Sequence, residues 1–437
     1  MRSRIAIAAP WLCAVSSVGL AIDLETAEVA VRADLGRALD AGESLQREIL
    51  IEPAAEIGLS DSAGLTVSAR LRADAMEKLE PGKPALGTYS RQSRPATLGT
   101  AGTAELRDFY VEAELGSVYL RAGKQQLVWG SLDGFKILDA MNPQSFREFI
   151  LDDFDDSRIS LWTLSVEVPL GATLLQLAWL PDPTVHQLPT DEAFFAFRAP
   201  RFRYGSDPET PSPAHVVVDR PDDIWRDGGF GLRMAGFTGG WDWSLVALSG
   251  LDPAPHGVVS QSDGRVMFNQ RYRRRQLFGF SLARSFGNVA LRGEAAVQPE
   301  RRFNTRNAAG RLAVVRHDQV SAAIAADIDA PGGLFLNAQV LVDHVRGAEP
   351  NLVRPSTDWL FTVFVRKTFR YDTVTAAIKW YASLSDGDGV LRPEIRYGVT
   401  DAVSLALGVD LFHGDDTGIF GQFADRDRLT LSFEVTL

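Results

Sequence analysis

Cysteine is almost absent from this sequence: Cys13 is the only one in 437 residues. Without a second cysteine the chain forms no internal disulfide and offers no cysteine cluster for a metal. The sequence also lacks the Gly-x-Ser-x-Gly elbow of serine hydrolases, the His-Glu-x-x-His pair of zinc proteases and a phosphate-binding glycine loop. We therefore predict that the protein is not an enzyme and holds no cofactor and no metal.

Basic residues are also in short supply, with 45 Lys and Arg against 56 Asp and Glu and a formal net charge of −11. Nucleic-acid binding needs a basic surface, so this balance argues against a nucleic-acid partner. Beyond the first twenty residues there is no run of the roughly 18 apolar residues that a membrane helix requires.

The first 21 residues have the three parts of a secretory signal peptide. Arg2 and Arg4 precede an apolar run over residues 5–20, and the small residues around Ala21 offer a cleavage site. We predict that residues 1–21 are removed and that residues 22–437 form one domain. Cys13 would leave with the signal. Losing two arginines leaves 43 basic residues against 56 acidic ones, a net charge of −13.

The chain is rich in strict apolar–polar alternation, which its last residues show most clearly. Successive side chains of a strand point to opposite faces, so alternation predicts one apolar and one wet face. The apolar face of the last segment consists of Leu429, Leu431, Phe433, Val435 and Leu437. A soluble β-sandwich would give the same alternation. Strands of about ten residues and the signal peptide favour a membrane protein instead.

Short turns and long connections follow one another in regular order. Gly, Asn, Asp and Pro, the residues of tight hairpins, mark eight short turns. These turns fall at residues 60–64, 115–117, 169–171, 238–240, 286–288, 330–333, 370–372 and 399–401. Short periplasmic turns and long external loops are typical of outer-membrane barrels. We predict an all-β fold, an antiparallel transmembrane β-barrel of about 18 strands. Sixteen strands is the alternative, because the first strand (27–35) and residues 301–315 are poorly patterned.

The loop over residues 129–158 is unusually apolar for an external segment. Asn142 and Pro143 suit the start of a helix, which predicts a short helix over residues 144–151. Phe146 and Phe149 would form part of its apolar stripe. We expect this loop to fold inward and narrow or plug the lumen. The alternative is a loop that packs on its neighbours outside the barrel mouth.

Charged residues of this loop are our candidates for a pore constriction. They are Asp139, Arg147, Glu148, Asp152, Asp153, Asp155, Asp156 and Arg158. The four aspartates from 152 to 156 could form a cation-selective constriction or a calcium site. They lack the glycine turn and terminal glutamate of an EF-hand loop, so pairing with nearby arginines is the favoured interpretation.

A second charged group is basic and flanks two later loops. Its candidates are Arg273, Arg275, Arg301 and Arg302. They could face the lumen, bind lipopolysaccharide phosphates at the outer rim, or be solvated. Between the two groups, the proline-rich stretch 181–227 predicts a partly ordered lid. On the strand before the apolar loop, Lys124 shares a face with apolar residues, which predicts a bulge near Gly123.

Residues 120–130 read Leu-Arg-Ala-Gly-Lys-Gln-Gln-Leu-Val-Trp-Gly, and residues 142–149 read Asn-Pro-Gln-Ser-Phe-Arg-Glu-Phe. These stretches resemble a broadly uncharacterised family of proteobacterial outer-membrane proteins, which carries a Gly-Arg/Lys-Gln-x-x-x-Trp-Gly strand and an Asn-Pro-x-x-x-Arg-Glu-Phe loop. Specific similarity covers about residues 105–189. Members often accompany inner-membrane exporters of the lipid-transporting RND type, so the resemblance implies transport of a hydrophobic or lipid-like molecule.

Together these features predict a Gram-negative outer-membrane channel that passes a hydrophobic or lipid-like solute through a loop-constricted lumen. The expected partners are outer-membrane lipid, lipopolysaccharide and an inner-membrane exporter system. One alternative is a barrel-anchored protein that binds a surface or partner without transport. An outer-membrane hydrolase is the least favoured interpretation.

Overall fold

The computed structural model describes residues 23–82, 88–202, 215–220, 223–262, 265–308 and 310–437. The predicted signal peptide lies outside these ranges. No helix in the described ranges is long and apolar enough to cross a membrane.

Within the described ranges the chain forms twenty-two strands, eighteen of which build one closed antiparallel barrel. The wall strands are β1 (Asp23–Ala38), β2 (Ser44–Ser60), β3 (Ala63–Asp74), β5 (Gly102–Leu115), β6 (Val118–Gln125), β7 (Leu161–Leu170), β8 (Thr173–Leu180), β10 (Gly229–Thr238), β11 (Trp241–Leu251), β14 (Arg274–Phe286), β15 (Val289–Arg306), β16 (Leu312–Ala330), β17 (Leu334–Arg346), β18 (Thr357–Phe369), β19 (Val374–Ser383), β20 (Asp388–Thr400), β21 (Val403–His413) and β22 (Arg428–Thr436).

The remaining strands lie beside the wall. β4 (Ala96–Leu98) pairs with the beginning of β5. β9 (His215–Asp219), β12 (His256–Ser262) and β13 (Arg265–Arg271) form a separate three-stranded sheet from two of the long connections. Only the long connections carry added structure, because the opposite ends of the strands are joined by tight turns.

The barrel closes through its first and last strands. β1 pairs with β22 in one unbroken register from Ala30 opposite Thr436 to Ala38 opposite Arg428. Closure leaves the wall no free edge on which another chain could add a strand. The prediction of eighteen strands is confirmed. The weakly patterned first strand is real and longer than expected, since β2 and β22 pair with it from both sides.

Wall side chains alternate between an apolar outer face and a polar inner face. Phe433 is 42% exposed on the outside, beside Ala33 and Leu405 on the neighbouring strands. The next residue, Glu434, lies on the inner face, where its carboxylate is 3.4 Å from the guanidinium of Arg396. This is the alternation expected of a barrel in lipid.

The helix predicted over residues 144–151 does not form, and that prediction was wrong. Gln144 bridges to Arg158 and Ser145 to Gln187, so the backbone is tied to neighbouring chain on both sides. Phe149 then adopts a left-handed conformation with φ of 56° in a turn. A helix of two turns is marginal by itself, and these external backbone bonds outweigh it. The helical turn of this loop lies further along, at α1 (Phe154–Ser157).

The bulge predicted near Gly123 is also absent. β6 pairs with β5 and β7 without a register shift, so Lys124 stays on the outer face opposite Phe109 and Trp162. Lys124 is only 1% exposed because the long connection before β5 covers it, with its Nζ 3.5 Å from the carbonyl of Ser93. The long loops therefore cover part of the outer wall as well as the lumen.

The proline-rich stretch is ordered where the structure describes it. Phe195 is completely buried, and Phe194 lies against it with the two ring centroids 4.9 Å apart. Both belong to an apolar cluster with Phe412 of β21 and with Phe420 and Phe423 of the loop between β21 and β22. Residues 203–214 and 221–222 of the predicted lid lie outside the described ranges.

The inward and outward positions of β22 predict opposite responses to substitution. Phe433→Arg places a cation in the lipid layer at a cost of roughly 2–4 kcal/mol and should impair assembly. Glu434→Gln removes one half-exposed ion pair, which contributes about 0–1 kcal/mol, and should assemble normally. Heat-modifiable mobility of outer-membrane fractions measures both. Greater damage from Glu434→Gln would show that the facing of this strand is wrong.

Candidate functional site

The connection between β6 and β7, residues 126–160, crosses the interior of the barrel; we call it the constriction loop. Its first half packs on the inner wall at positions where the wall has no side chain. Trp129 lies against Gly231 of β10, and Leu138 lies against Gly279 of β14. A Cβ at either glycine would collide with the loop. The wall is therefore shaped to receive these apolar side chains, and we expect their burial to fix the loop in place.

Wall side chains also satisfy the backbone of this first half. Glu294 of β15 accepts hydrogen bonds from the backbone N–H groups of Ser131 and Leu138. Gln339 of β17 accepts from the N–H of Gly134 at 3.2 Å and donates to the carbonyl of Phe135 at 3.0 Å. Buried backbone groups need such partners. The loop thus has a defined path across the lumen.

The second half is held by ion pairs on the opposite side of the barrel. Arg147, 2% exposed, binds Glu48 of β2 and lies 2.9 Å from Glu148. Glu148 lies 2.6 Å from Arg428 of β22, and Arg428 binds Asp410 of β21. Burial alone would raise the pKa of Glu148, but the guanidiniums of Arg428 and Arg147 hold it at about 2. The loop is therefore tied ionically to the strands on both sides of the closing seam.

Three of the four clustered aspartates have cationic partners. Asp156 binds Arg70 of β3 and Arg32 of β1, Asp155 binds Arg158, and Asp153 lies 3.1 Å from Lys379 of β19. No group of three or more His, Cys, Asp or Glu side chains in the described ranges is placed to hold a metal ion.

Asp139 joins the two halves of the loop from within. Its carboxylate lies 2.8 Å from Arg158 and 3.3 Å from the amine of Lys136. Burial lowers the pKa of Lys136 to about 8, although Asp139 opposes that shift. The Lys136 amine also lies 4.1 Å from the centre of the Phe154 ring. Asp139 thus links the apolar half of the loop to its charged half.

Asp152 differs from the other aspartates. Its half-buried carboxylate accepts no hydrogen bond from any residue in the described ranges. Burial and the nearby charge of Glu148 raise its pKa to about 7, against the opposing pull of Arg72 and Arg147. The Asp152 carboxyl is therefore positioned to change charge near neutral pH.

Three cavities surround the constriction loop, and neighbouring cavities share lining residues. The outer cavity, about 260 Å³, and the middle cavity, about 400 Å³, share Phe146 and Arg301. The middle cavity and an inner cavity of about 270 Å³ share Asp152 and Tyr381. The cavities therefore form a row from the ends of the strands that carry the long loops past the constriction loop, with Asp152 where the middle and inner cavities meet.

The basic candidates divide between lumen and rim. Arg275 and Arg301 line the middle cavity, and Arg302 lines the outer one. Arg273 lies apart, 2.8 Å from Asp219 in the three-stranded sheet.

Sequence reasoning missed the wall partners of the loop. These are Glu48, Arg70, Glu294, Gln339 and Arg428. Each is a polar residue on a strand's inward face, so alternation carried a signal for them.

A closed barrel of eighteen antiparallel strands, with short turns at one end and long loops at the other, is the fold of outer-membrane porins. The chain belongs to the DUF1302 family, whose members are described as proteins of unknown function. The family match covers residues 56–437. No curated protein matches the sequence.

Solved structures with this fold include three from Acinetobacter baumannii. OccAB2 has a TM-score of 0.52 at 11% identity, covering 94% of this chain and 97% of that chain. OccAB1 has a TM-score of 0.51 at 10% identity, covering 94% of this chain and 95% of that chain. OccAB3 has a TM-score of 0.51 at 7% identity, covering 94% of this chain and 98% of that chain. At such low identity the likeness shows the fold alone. The fold favours a place in the outer membrane.

Replacing Arg147 should release the charged half of the loop. Arg147→Met would leave Glu48 and Glu148 buried beside a neutral side chain, at a cost of about 3–5 kcal/mol. We expect heat-modifiable mobility to shift at a lower temperature and amide exchange to speed up over residues 126–160. Arg226→Met, at an exposed surface ion pair with Asp227, is the matched control and should change neither. Unchanged exchange in Arg147→Met would show that the ion pairs do not hold the loop.

Proposed function

We propose that this protein is an outer-membrane channel whose lumen is narrowed by the constriction loop. The observation that supports it best is the row of three cavities that passes the loop toward the periplasmic side. An eighteen-stranded barrel is too wide for wall side chains alone to close. The space left beside the loop is then the path of a solute.

The lining of the path supports a solute with a hydrophobic part. The middle cavity has more apolar than polar surface, and the side chains that provide it come mostly from loops. Its apolar lining includes Phe135, Phe146, Phe149, Phe202 and Tyr381. Ligand sites of this kind combine a largely apolar wall with a few placed polar groups. We propose a hydrophobic or lipid-like solute, handed over in the cell by an inner-membrane exporter system, with lipid and lipopolysaccharide around the barrel.

A barrel-anchored binding protein is the second candidate function. The burial of Phe195, Phe420 and Phe423 in a single cluster favours it, because this cluster gives the extracellular loops a fixed shape. We propose no catalysis. Solute release from liposomes by the parent protein separates the two functions: a channel releases small solutes, and an anchor whose loops close the lumen does not.

Deleting residues 131–156 should widen the pore. The deletion removes both the apolar and the charged contacts of the loop while leaving every wall strand intact. We expect single-channel conductance in planar bilayers to rise severalfold. Arg147→Met, which loosens the loop without removing it, should give a smaller and noisier increase. Equal conductance of the deletion and the parent, with both proteins heat-modifiable, would contradict the constriction.

The charge of Asp152 predicts pH-dependent selectivity. A carboxyl with a pKa of about 7 is mostly neutral at pH 6 and negative at pH 8, so preference for cations should rise across this range. The reversal potential in a KCl gradient measures it. Asp152→Asn should remove the step near pH 7 and leave the change at the upper end of the range that Lys136, with its pKa of about 8, contributes from the same cavity. Asp416→Asn, at an exposed loop position, should retain the full step. A step near pH 7 that persists in Asp152→Asn would assign the titration to another group.

A further inference from the structure

The outer part of the path is basic although the chain is acidic overall. Four guanidiniums line the middle cavity near the extracellular ends of the strands, and all are largely buried. They belong to Arg201, Arg275, Arg301 and Arg354. Arg302 adds a fifth in the outer cavity. Four aspartates pair with the first four of these arginines, and Arg302 pairs with no carboxylate in the described ranges, so this region carries an excess of positive charge.

Two of the four carboxylates in this region are shared between arginines. Asp252 lies 3.1 Å from Arg301 and 3.7 Å from Arg275. Asp358 lies 2.6 Å from Arg201 and also binds Arg354. Asp343 lies 3.0 Å from Arg354, and Asp386 lies 3.2 Å from Arg201. A guanidinium has five N–H donors, which is more than a shared carboxylate can satisfy.

Arg275 and Arg302 have N–H donors that no carboxylate in the described ranges binds. The buried Nε of Arg275 has no hydrogen-bond partner within the described ranges. Arg302 forms no salt bridge with any carboxylate in the same ranges, and one of its guanidinium nitrogens donates to the carbonyl of Arg274. An acidic group entering this region would therefore find donors that the protein's own aspartates do not use.

His186 adds a neutral donor. Its Nδ1 accepts the backbone N–H of Gln144 at 2.9 Å. Burial, and then the positive charge of Arg275, lowers the pKa of His186 to about 3, so the ring is neutral at physiological pH. With Nδ1 accepting, the ring proton is on Nε2. The ring lines both the outer and the middle cavity, where this N–H serves as a further donor.

Aromatic rings line the same two cavities beside these donors. Phe146 is in edge contact with His186 at 5.2 Å between centroids and with Phe197 at 6.1 Å. Phe202 lies beside Phe197 at 5.3 Å and beneath the guanidinium of Arg201. The cavity thus offers an apolar surface and a group of cationic donors within one space of ligand size.

We propose that the outer and middle cavities bind an amphipathic organic anion, with its carboxylate among Arg301, Arg302 and Arg354 and its apolar body against Phe146 and Phe202. The proposal that this anion is the transported solute rests on the proposed channel function. The proposal that the cavities bind the anion does not depend on that function. Arginine forks match carboxylates in geometry and charge, and the aromatic side chains bury the rest of the ligand.

The test uses 4-phenylbutanoate as probe, with 4-phenylbutan-1-ol and 4-phenylbutylammonium as neutral and cationic analogues of equal length. Calorimetric titration of the purified full-length barrel measures binding independently of conduction. Block of single-channel current measures it in the pore. We expect the anion to bind at least about tenfold more tightly than either analogue, because charge-assisted hydrogen bonds are the strong ones.

The double variant Arg302→Gln with Arg354→Gln should weaken anion binding about tenfold, as expected for lost charge-assisted hydrogen bonds, and leave alcohol binding unchanged. Arg370→Gln, at an exposed position in the short turn between β18 and β19 at the opposite end of the barrel, is the matched control and should bind like the parent. Heat-modifiable mobility verifies folding of each variant.

Equal calorimetric affinity for all three probes, or unaltered anion affinity in a folded double variant, would overturn the inference. If anion binding is found but the parent passes no current and releases no solute, the site stands and the channel proposal fails. If current flows but anion and ammonium bind alike, the channel proposal stands and the site assignment fails.

Discussion

The width of the barrel is the constraint on which the rest of this structure depends. Eighteen strands enclose more space than inward side chains can fill, so the interior must be occupied by chain, solvent or ligand. Here chain from between β6 and β7 occupies much of it. That chain carries peptide groups into a confined interior, and each needs a partner. Glu294 and Gln339 supply partners for the loop backbone from the wall. The inward face of the wall is polar for this reason as well as for contact with water.

The loop is held by two different physical effects on its two sides. Apolar burial against Gly231 and Gly279 acts on one side, and buried ion pairs around Arg147 act on the other. The ion pairs are costly to break singly, since removal of one partner leaves an uncompensated buried charge. They contribute less to net stability than their number suggests. Their value lies in specifying one position for the loop, and that position determines where the cavities lie.

Alternation made the wall predictable from sequence, because a period of two depends only on near neighbours along the chain. The inward course of the loop was predictable too, since Phe135, Ile137 and Leu138 have no reason to face water. The loop's local conformation was not. The proposed helix gave way to bridges with Arg158 and Gln187, and Arg428 meets Glu148 across 280 residues of sequence. Such partners are set by closure of the barrel, which no local pattern encodes.

The connection of Glu148 to Arg428 makes the constriction dependent on the completion of the wall. β22 is the last strand of the chain, and until it pairs with β1 its arginine is not in place beside the loop. The loop's own sequence lies in the first half of the chain, and thirteen wall strands follow it, so its contact with Arg428 forms only when the last of them, β22, has been synthesised. A barrel caught before closure would have a loosely held loop as well as an open seam. Assembly and permeability are thus coupled: the pore becomes narrow in the same event that makes the wall continuous.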